Sequence, residues 1–193
     1  MKRTGFSGRG GNLALLVPAL LLLGCGGDED PGASSDRSPA AQVTNDDIDP
    51  CALVTTAEAA EAIGVTAAEA DRPSEANRET RSESYSGGED TVVRMSTCRY
   101  TGELGQTVAV LTVMVRQSSS TAESEIGFEG LRETYAEAVG VTDVPGLGAQ
   151  AFWMDEDPRG LWVLDGGLQL SISGDVDAGN ARDLATKALE RLR

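Results

Sequence analysis

Ala151-Phe152-Trp153-Met154-Asp155-Glu156-Asp157-Pro158-Arg159-Gly160-Leu161-Trp162-Val163-Leu164-Asp165-Gly166-Gly167-Leu168-Gln169-Leu170-Ser171-Ile172-Ser173 decides the fold. Short runs rich in aromatic and branched residues alternate with turn residues, the pattern of two consecutive hairpins. Strands are expected over 149–154, 161–165 and 168–173. Taking Asp155 to Gly160 as a six-residue loop sets Met154 opposite Leu161 and Trp153 opposite Trp162. Taking Gly166-Gly167 as a two-residue turn sets Val163 opposite Leu170. Alternation then places Phe152, Met154, Leu161, Val163, Leu168, Leu170 and Ile172 on one core face. The other face carries Ala151, Trp153, Trp162, Leu164, Gln169, Ser171 and Ser173, with both tryptophans side by side. Such a pair reads either as a binding platform, because Trp is enriched at interface hot spots, or as a second core layer under a helix or the long upstream loop.

Outward from this stretch, residues 92–100 and 107–116 read as two more strands joined by a turn around Gly102 to Gly105. Val108 to Val115 is apolar on both faces, as in a central strand covered on both sides. Ser120 and Glu123 have capping-box spacing, and Ile126, Phe128, Leu131, Tyr135, Ala138 and Val139 recur at helical intervals, giving a helix over 121–138. Asp177 reads as the N-cap of a last helix over 178–192, with Ala181, Leu184, Ala188 and Leu192 on one stripe. Thr55 to Glu58 opens an Ala-rich helix over 56–63, stopped at Gly64. Residues 66–91 carry seven acids, three bases and Ser/Gly clusters, and read as a long surface loop with a helical turn near 67–71. The body from about residue 50 to 193 is therefore a single α+β domain: a largely antiparallel sheet of about five strands with three helices and one disulfide.

Before the body, residues 26–49 hold seven acids, one base and only Val43 and Ile48 as sizeable apolar groups. Such a stretch cannot bury enough surface to offset the entropy of ordering, and reads as a disordered acidic tether. Residues 1–24 carry Lys2, Arg3 and Arg9 with no acid, then an apolar run from Leu13 to Leu23, the n-region and h-region of a secretory signal. That run is too short for a span, which takes about 20 apolar residues. Leu22-Leu23-Gly24-Cys25 resembles the lipobox of bacterial lipoproteins. The resemblance implies cleavage before Cys25, a diacylglyceryl thioether on its sulfur and an acylated new amino terminus, palmitate-type chains that bury about 0.8 kcal/mol per methylene in the bilayer. The competing readings are an ordinary secretory signal, which leaves a free thiol on an exported tail, and a short buried helix. Cleavage takes three of the 16 bases and none of the 31 acids, so the mature balance is −18.

With Cys25 given to lipid, Cys51 and Cys98 are left, and an oxidising compartment permits a bridge between them. Loop-closure entropy makes such a bridge worth roughly 4 kcal/mol. A redox or metal role is disfavoured, since there is no CxxC spacing and no further soft ligand.

Composition excludes much familiar chemistry. The chain has no histidine, which removes Ser-His-Asp and Cys-His systems and every histidine-containing zinc site. A net charge of −15 opposes phosphate backbones, so nucleic acid is a poor partner. Gly146 to Ala151 fits GxGxxA in letter, but a strand-like run follows where a dinucleotide site needs a helix. Asp155, Asp157 and Gly160 mimic EF-hand positions, but Arg159 and Gly166 stand where calcium needs side-chain oxygens. There is no Walker A or GxSxG motif, and 31 scattered acids single out no catalytic pair. No cofactor, no metal and no catalytic residue is expected.

The Cys25 lipobox, Asp49-Pro50-Cys51-Ala52-Leu53-Val54-Thr55 before an Ala/Glu helix, Cys98-Arg99-Tyr100, the Val144-Pro145-Gly146-Leu147-Gly148 turn and the terminal Ala/Leu helix together resemble uncharacterised lipoproteins of high-GC bacteria grouped as a domain of unknown function. The resemblance covers about residues 50–193. Two features depart from it: the 66–91 loop is longer, and Ala149 follows Gly148 where an Asp is common. It implies a disulfide-linked α+β domain, lipid-anchored on the extracytoplasmic side of a membrane in the cell envelope, and brings no activity. The expected role is a non-enzymatic module binding an envelope protein or other component, with Trp153 and Trp162 as the candidate face. The second reading is a carrier of an apolar or lipid ligand.

Overall fold

The computed structural model describes residues 47–72, 78–83 and 91–193. The leader, Cys25 and the tether up to residue 46 lie outside the described residues, as do 73–77 and 84–90 of the polar stretch.

Among the described residues four helices form, each opened by a side-chain cap. Asp49 caps α1 (Pro50–Leu53), accepting from the Cys51 amide, with Pro50 at its first position. In α2 (Thr56–Ile63), Thr55 and Glu58 close a full capping box and Gly64 ends the helix in the left-handed region at φ 71°. Ser120 caps α3 (Thr121–Ala138) and Asp177 caps α4 (Ala178–Arg191). The three long helices fall where the sequence puts them. The short α1 is an addition, made possible because Asp49 and Pro50 satisfy and pre-set its start.

Among the described residues eight strands form one antiparallel sheet: β1 (Glu69–Asp71), β2 (Arg78–Glu83), β3 (Thr91–Leu104), β4 (Thr107–Ser118), β5 (Thr142–Asp143), β6 (Gln150–Met154), β7 (Gly160–Asp165) and β8 (Leu168–Gly174). The order across the sheet is β1-β3-β4-β8-β7-β6-β5, with β2 also pairing β3, so eight strands occupy seven positions. The expected count of five strands and three helices is too low. β1 and β2 arise inside the stretch read as a loop, where no helical turn forms at 69–71. They pair to β3 at Arg99–Thr101 and Thr91–Ser96 respectively. Their own sequences are charged and lack alternating apolar residues, so the ladder to β3 makes them strands. The β3–β4 hairpin turns at Gly105-Gln106, with Leu104 opposite Thr107, further out than expected.

The first face of the sheet is covered by α1, α2 and α4. Ala59, Ala62, Ile63, Ala181, Leu184, Ala185 and Ala188 meet Leu111, Val113, Val115, Leu161, Val163, Leu170 and Ile172 in the main core. Alanines on the helices bring them close to branched residues on the strands. The second face has a smaller core under α3, built from Phe128, Phe152, Met154 and Leu164. β4 lies inside the sheet, but only its first face is fully covered. Ala109, Leu111, Val113 and Val115 are buried there, whereas Val110, Thr112 and Met114 on the second face are partly exposed and Val108 is 62% exposed. The two-sided apolar pattern thus overstates the cover, because α3 packs over β8, β7 and one end of β4, touching β6 through Phe128 and Phe152, and leaves the rest of β4 and much of β3 partly exposed.

Candidate functional site

The expected tryptophan pair does not form. The loop after β6 holds five residues, 155–159, so Met154 faces Gly160, Trp153 faces Leu161 and Phe152 faces Trp162. The second turn is as read, with Val163 opposite Leu170. A one-residue slip in one hairpin inverts β6 relative to β7 and β8. Trp153 therefore lies in the main core with Leu161 and Val163, at 8% exposure. Trp162 lies on the other face, partly exposed, stacked on Phe152 at a centroid distance of 6.4 Å and tilted against Tyr135 at 6.0 Å. Gly160 causes the slip. A Cβ there would meet the Ser173 Cβ at 2.9 Å and the Ile172 carbonyl oxygen at 3.0 Å, so this glycine serves a close strand approach and is not a loop residue.

Beside the aromatic group, a buried polar chain ties α3 to the sheet. Arg116 NH1 donates to Gln169 Oε1 at 3.1 Å, and Gln169 Nε2 donates to the Ser124 carbonyl oxygen at 3.1 Å. Gln169 and Ser124 are 3% and 2% exposed. The alternation Leu168-Gln169-Leu170 already sets Gln169 on the second face, but only the docking of α3 reveals its partners.

On the rim of that face, a cleft of about 300 Å³ opens between α3 and the segment 143–151. Arg132 lies in it, donating to Asp143 Oδ1 at 2.9 Å and to Glu129 Oε1 at 3.3 Å. The hydrogen bond to Asp143 chiefly raises the pKa of Arg132. Two carboxylates around one guanidinium leave the cleft net acidic. The Gly146-to-Ala151 segment is a turn leading into β6, with Gly146 and Gly148 at positive φ. At the EF-hand-like loop, Arg159 Nε lies 3.6 Å from Asp155 Oδ1, an exposed ion pair. Among the described residues, no group of three or more carboxylate, cysteine or histidine side chains is placed to hold a metal ion.

Cys51 and Cys98 are joined, with Cα atoms 5.2 Å apart, linking α1 to the middle of β3. Nearby, Glu58 receives Arg191 from α4 at 2.7 and 2.8 Å, and Lys187 lies 3.5 Å away. Arg191 NH1 also donates to the Leu53 carbonyl oxygen. The Arg191 hydrogen bond, followed by the Thr55 bonds and against the opposing effect of burial, holds the Glu58 carboxyl down at about 2. The Tyr100 hydroxyl donates to the Val54 carbonyl oxygen at 2.5 Å, and burial pushes its pKa up to about 12. These contacts fasten the α1–α2 corner to β3 and α4, and sequence offers no pairwise signal for them.

The fold and its contacts define a disulfide-linked α+β domain with three helices on one sheet face and one on the other. Comparison with protein-family models, curated proteins and solved structures finds no match. No helix among the described residues is long and apolar enough to cross a membrane.

Proposed function

We propose that the chain is an exported lipoprotein of the bacterial cell envelope, anchored through lipid on Cys25, whose domain is a non-catalytic binding module. The observation that carries the reading is the Cys51–Cys98 bridge, because disulfides persist in oxidising compartments outside the cytosol. It agrees with a basic n-region, an apolar h-region and Leu22-Leu23-Gly24-Cys25 at the head of the chain. The resemblance to high-GC lipoproteins of unknown function points the same way.

The binding surface moves from the tryptophan pair to the uncovered part of the second face. There Thr97, Thr112, Met114 and Ser173 are partly exposed and Arg99 is exposed, next to the edge of the Trp162 and Tyr135 rings. A flat face mixing Thr, Met and Arg with an aromatic rim suits an envelope protein partner, since Met and aromatic groups adapt to apolar contacts and Arg supplies directed hydrogen bonds.

A photo-crosslinking residue placed at Thr97 or Thr112 in the native host tests this. Adducts to one defined envelope protein are expected at these positions and not at Glu190, an exposed residue on α4. Absence of adducts, with an apolar molecule retained by the purified domain in native mass spectrometry, would replace the binding module with the carrier.

A further inference from the structure

Immediately before α1, a short strap runs onto the sheet. The Ile48 amide donates to Gln117 Oε1 on β4 at 3.3 Å, and Ser96 Oγ on β3 donates to the Ile48 carbonyl oxygen at 3.0 Å. Asp47 and Asp49 flank these bonds with ion pairs to Arg94 at 4.0 Å and Arg72 at 3.3 Å. Two residues after Asp49, Cys51 is bonded covalently to Cys98, inside a strand paired with β4 along twelve residue positions. Residues 47–49, expected to be part of the tether, lie against the folded body, because Ile48 packs on the main core and both its backbone groups find partners.

We propose that Asp47–Cys51 is a strap that carries tension: a pull arriving from a membrane anchor upstream passes through the Cys51–Cys98 bridge into β3, bypassing α2 and the part of α1 beyond Cys51. The proposal rests on the anchored reading above. The geometry behind it is sequential. A pull on Asp47 meets the ion pairs and the Ile48 bonds one after another, an unzipping arrangement in which each contact yields separately. At Cys51 the load meets a covalent link. The part of α1 beyond Cys51, all of α2 and the strands β1 and β2 lie within the loop closed by that link, whose ends are 47 residues apart, so the load does not run along them. From Cys98 the load spreads into β3, flanked by β1 and β2 on one side and β4 on the other, where several ladder bonds must break together. Without the bridge, the same pull would continue through α1 and strip α2 from the sheet, since Ala59, Ala62 and Ile63 would then be peeled turn by turn.

Optical-tweezers pulling of the mature chain, with one handle on the Cys25 sulfur and the other at Arg193, tests the strap; α4 peels from the Arg193 handle alike in every variant, and the releases compared are those of the Cys25 side. The oxidised protein is expected to show a small reversible release of about 14 Å, the extended length of residues 47–50, before the sheet ruptures. A Cys51→Ser/Cys98→Ser variant is expected to release about 60 Å, the length of residues 47–64, in an intermediate that precedes rupture. Should that variant not fold, Ser96→Ala/Gln117→Ala decides with the bridge intact: the small release moves to lower force while the rupture force stays unchanged. The proposal is overturned if the double-serine chain ruptures in one step at the wild-type force, or if Ser96→Ala/Gln117→Ala leaves the small release unaltered. The handle replaces the lipid, so this result is independent of the mass of residue 25, and the strap and the anchor fail separately.

Discussion

Phe152, and not Trp153, stands opposite Trp162 across the β6–β7 ladder, and the two rings stack with planes 13° apart. This pairing places the two tryptophans of the chain on opposite sides of the sheet. It also decides which aromatic groups meet solvent.

Single-tryptophan variants read that separation directly. Trp162→Phe leaves Trp153, buried at 8% exposure, and Trp153→Phe leaves the more exposed Trp162. Acrylamide is expected to quench Trp162 more strongly than Trp153, with a red-shifted emission from Trp162. Equal quenching of both residues would restore the side-by-side platform.

Glu58 makes stability depend on acid. Its carboxyl ionises at about 2 in the folded chain, against 4.5 for the free group. A depressed carboxyl favours the folded state fully above the unfolded value and loses that contribution as pH falls from about 4.5 through about 2. Glu58→Gln keeps shape and part of the capping box but removes the charge facing Arg191 and Lys187. It is expected to cost about 1–2 kcal/mol at pH 7, measured by urea unfolding, with the difference from the natural chain shrinking toward pH 2. A difference that stays constant between pH 7 and 2 would show that the ion pair is not its source.

Tyr100 gives the opposite pH sign. Its hydroxyl is held neutral up to about 12 in the folded chain, so the contribution is complete below the ordinary value of 10 and disappears as pH rises through about 12. Tyr100→Phe removes the bond to the Val54 carbonyl and leaves that acceptor buried. About 1–2 kcal/mol of stability should be lost at neutral pH, with the alkaline decline becoming shallower. Thermal unfolding between pH 7 and 11 measures both effects.

Gly148 tests the turn that sets β6. Its φ is +60°, and a Cβ would lie 2.5 Å from the Leu164 carbonyl oxygen and 2.8 Å from Val163 Cγ1. Gly148→Ala is expected to destabilise by about 2 kcal/mol or more, because neither the backbone conformation nor the neighbouring backbone can accommodate the methyl group. Gly105→Ala, also at positive φ but with open space around it, should lose less, leaving only the conformational penalty. Equal losses at the two positions would contradict the close approach.

What was legible in the sequence is what local chemistry controls. Thr55 with Glu58, Ser120 with Glu123, and Asp177 carry their caps within a few residues, so the three long helices could be placed from spacing alone. Gly166-Gly167 likewise fixed one turn. The cysteine pair was legible by elimination, once Cys25 is assigned to the lipobox-like run Leu22-Leu23-Gly24-Cys25. Gly160 was not legible: a glycine beside a loop looks like part of it until the approach of Ser173 is known. β1 and β2 were missed because charged sequences become strands only through pairing with β3. The candidate site suffered most, since one residue of register reversed the side on which Trp153 lies, and the Arg116–Gln169–Ser124 contacts join elements 45 or more residues apart.

The anchor at Cys25 is the claim on which cell-envelope placement depends, and mass spectrometry of the amino-terminal peptide from the native host tests it most directly. The account predicts a mature chain beginning at Cys25, with its sulfur carrying a diacylglyceryl group and residues 1–24 absent. An unacylated Cys25 in a chain that still carries its leader would contradict it.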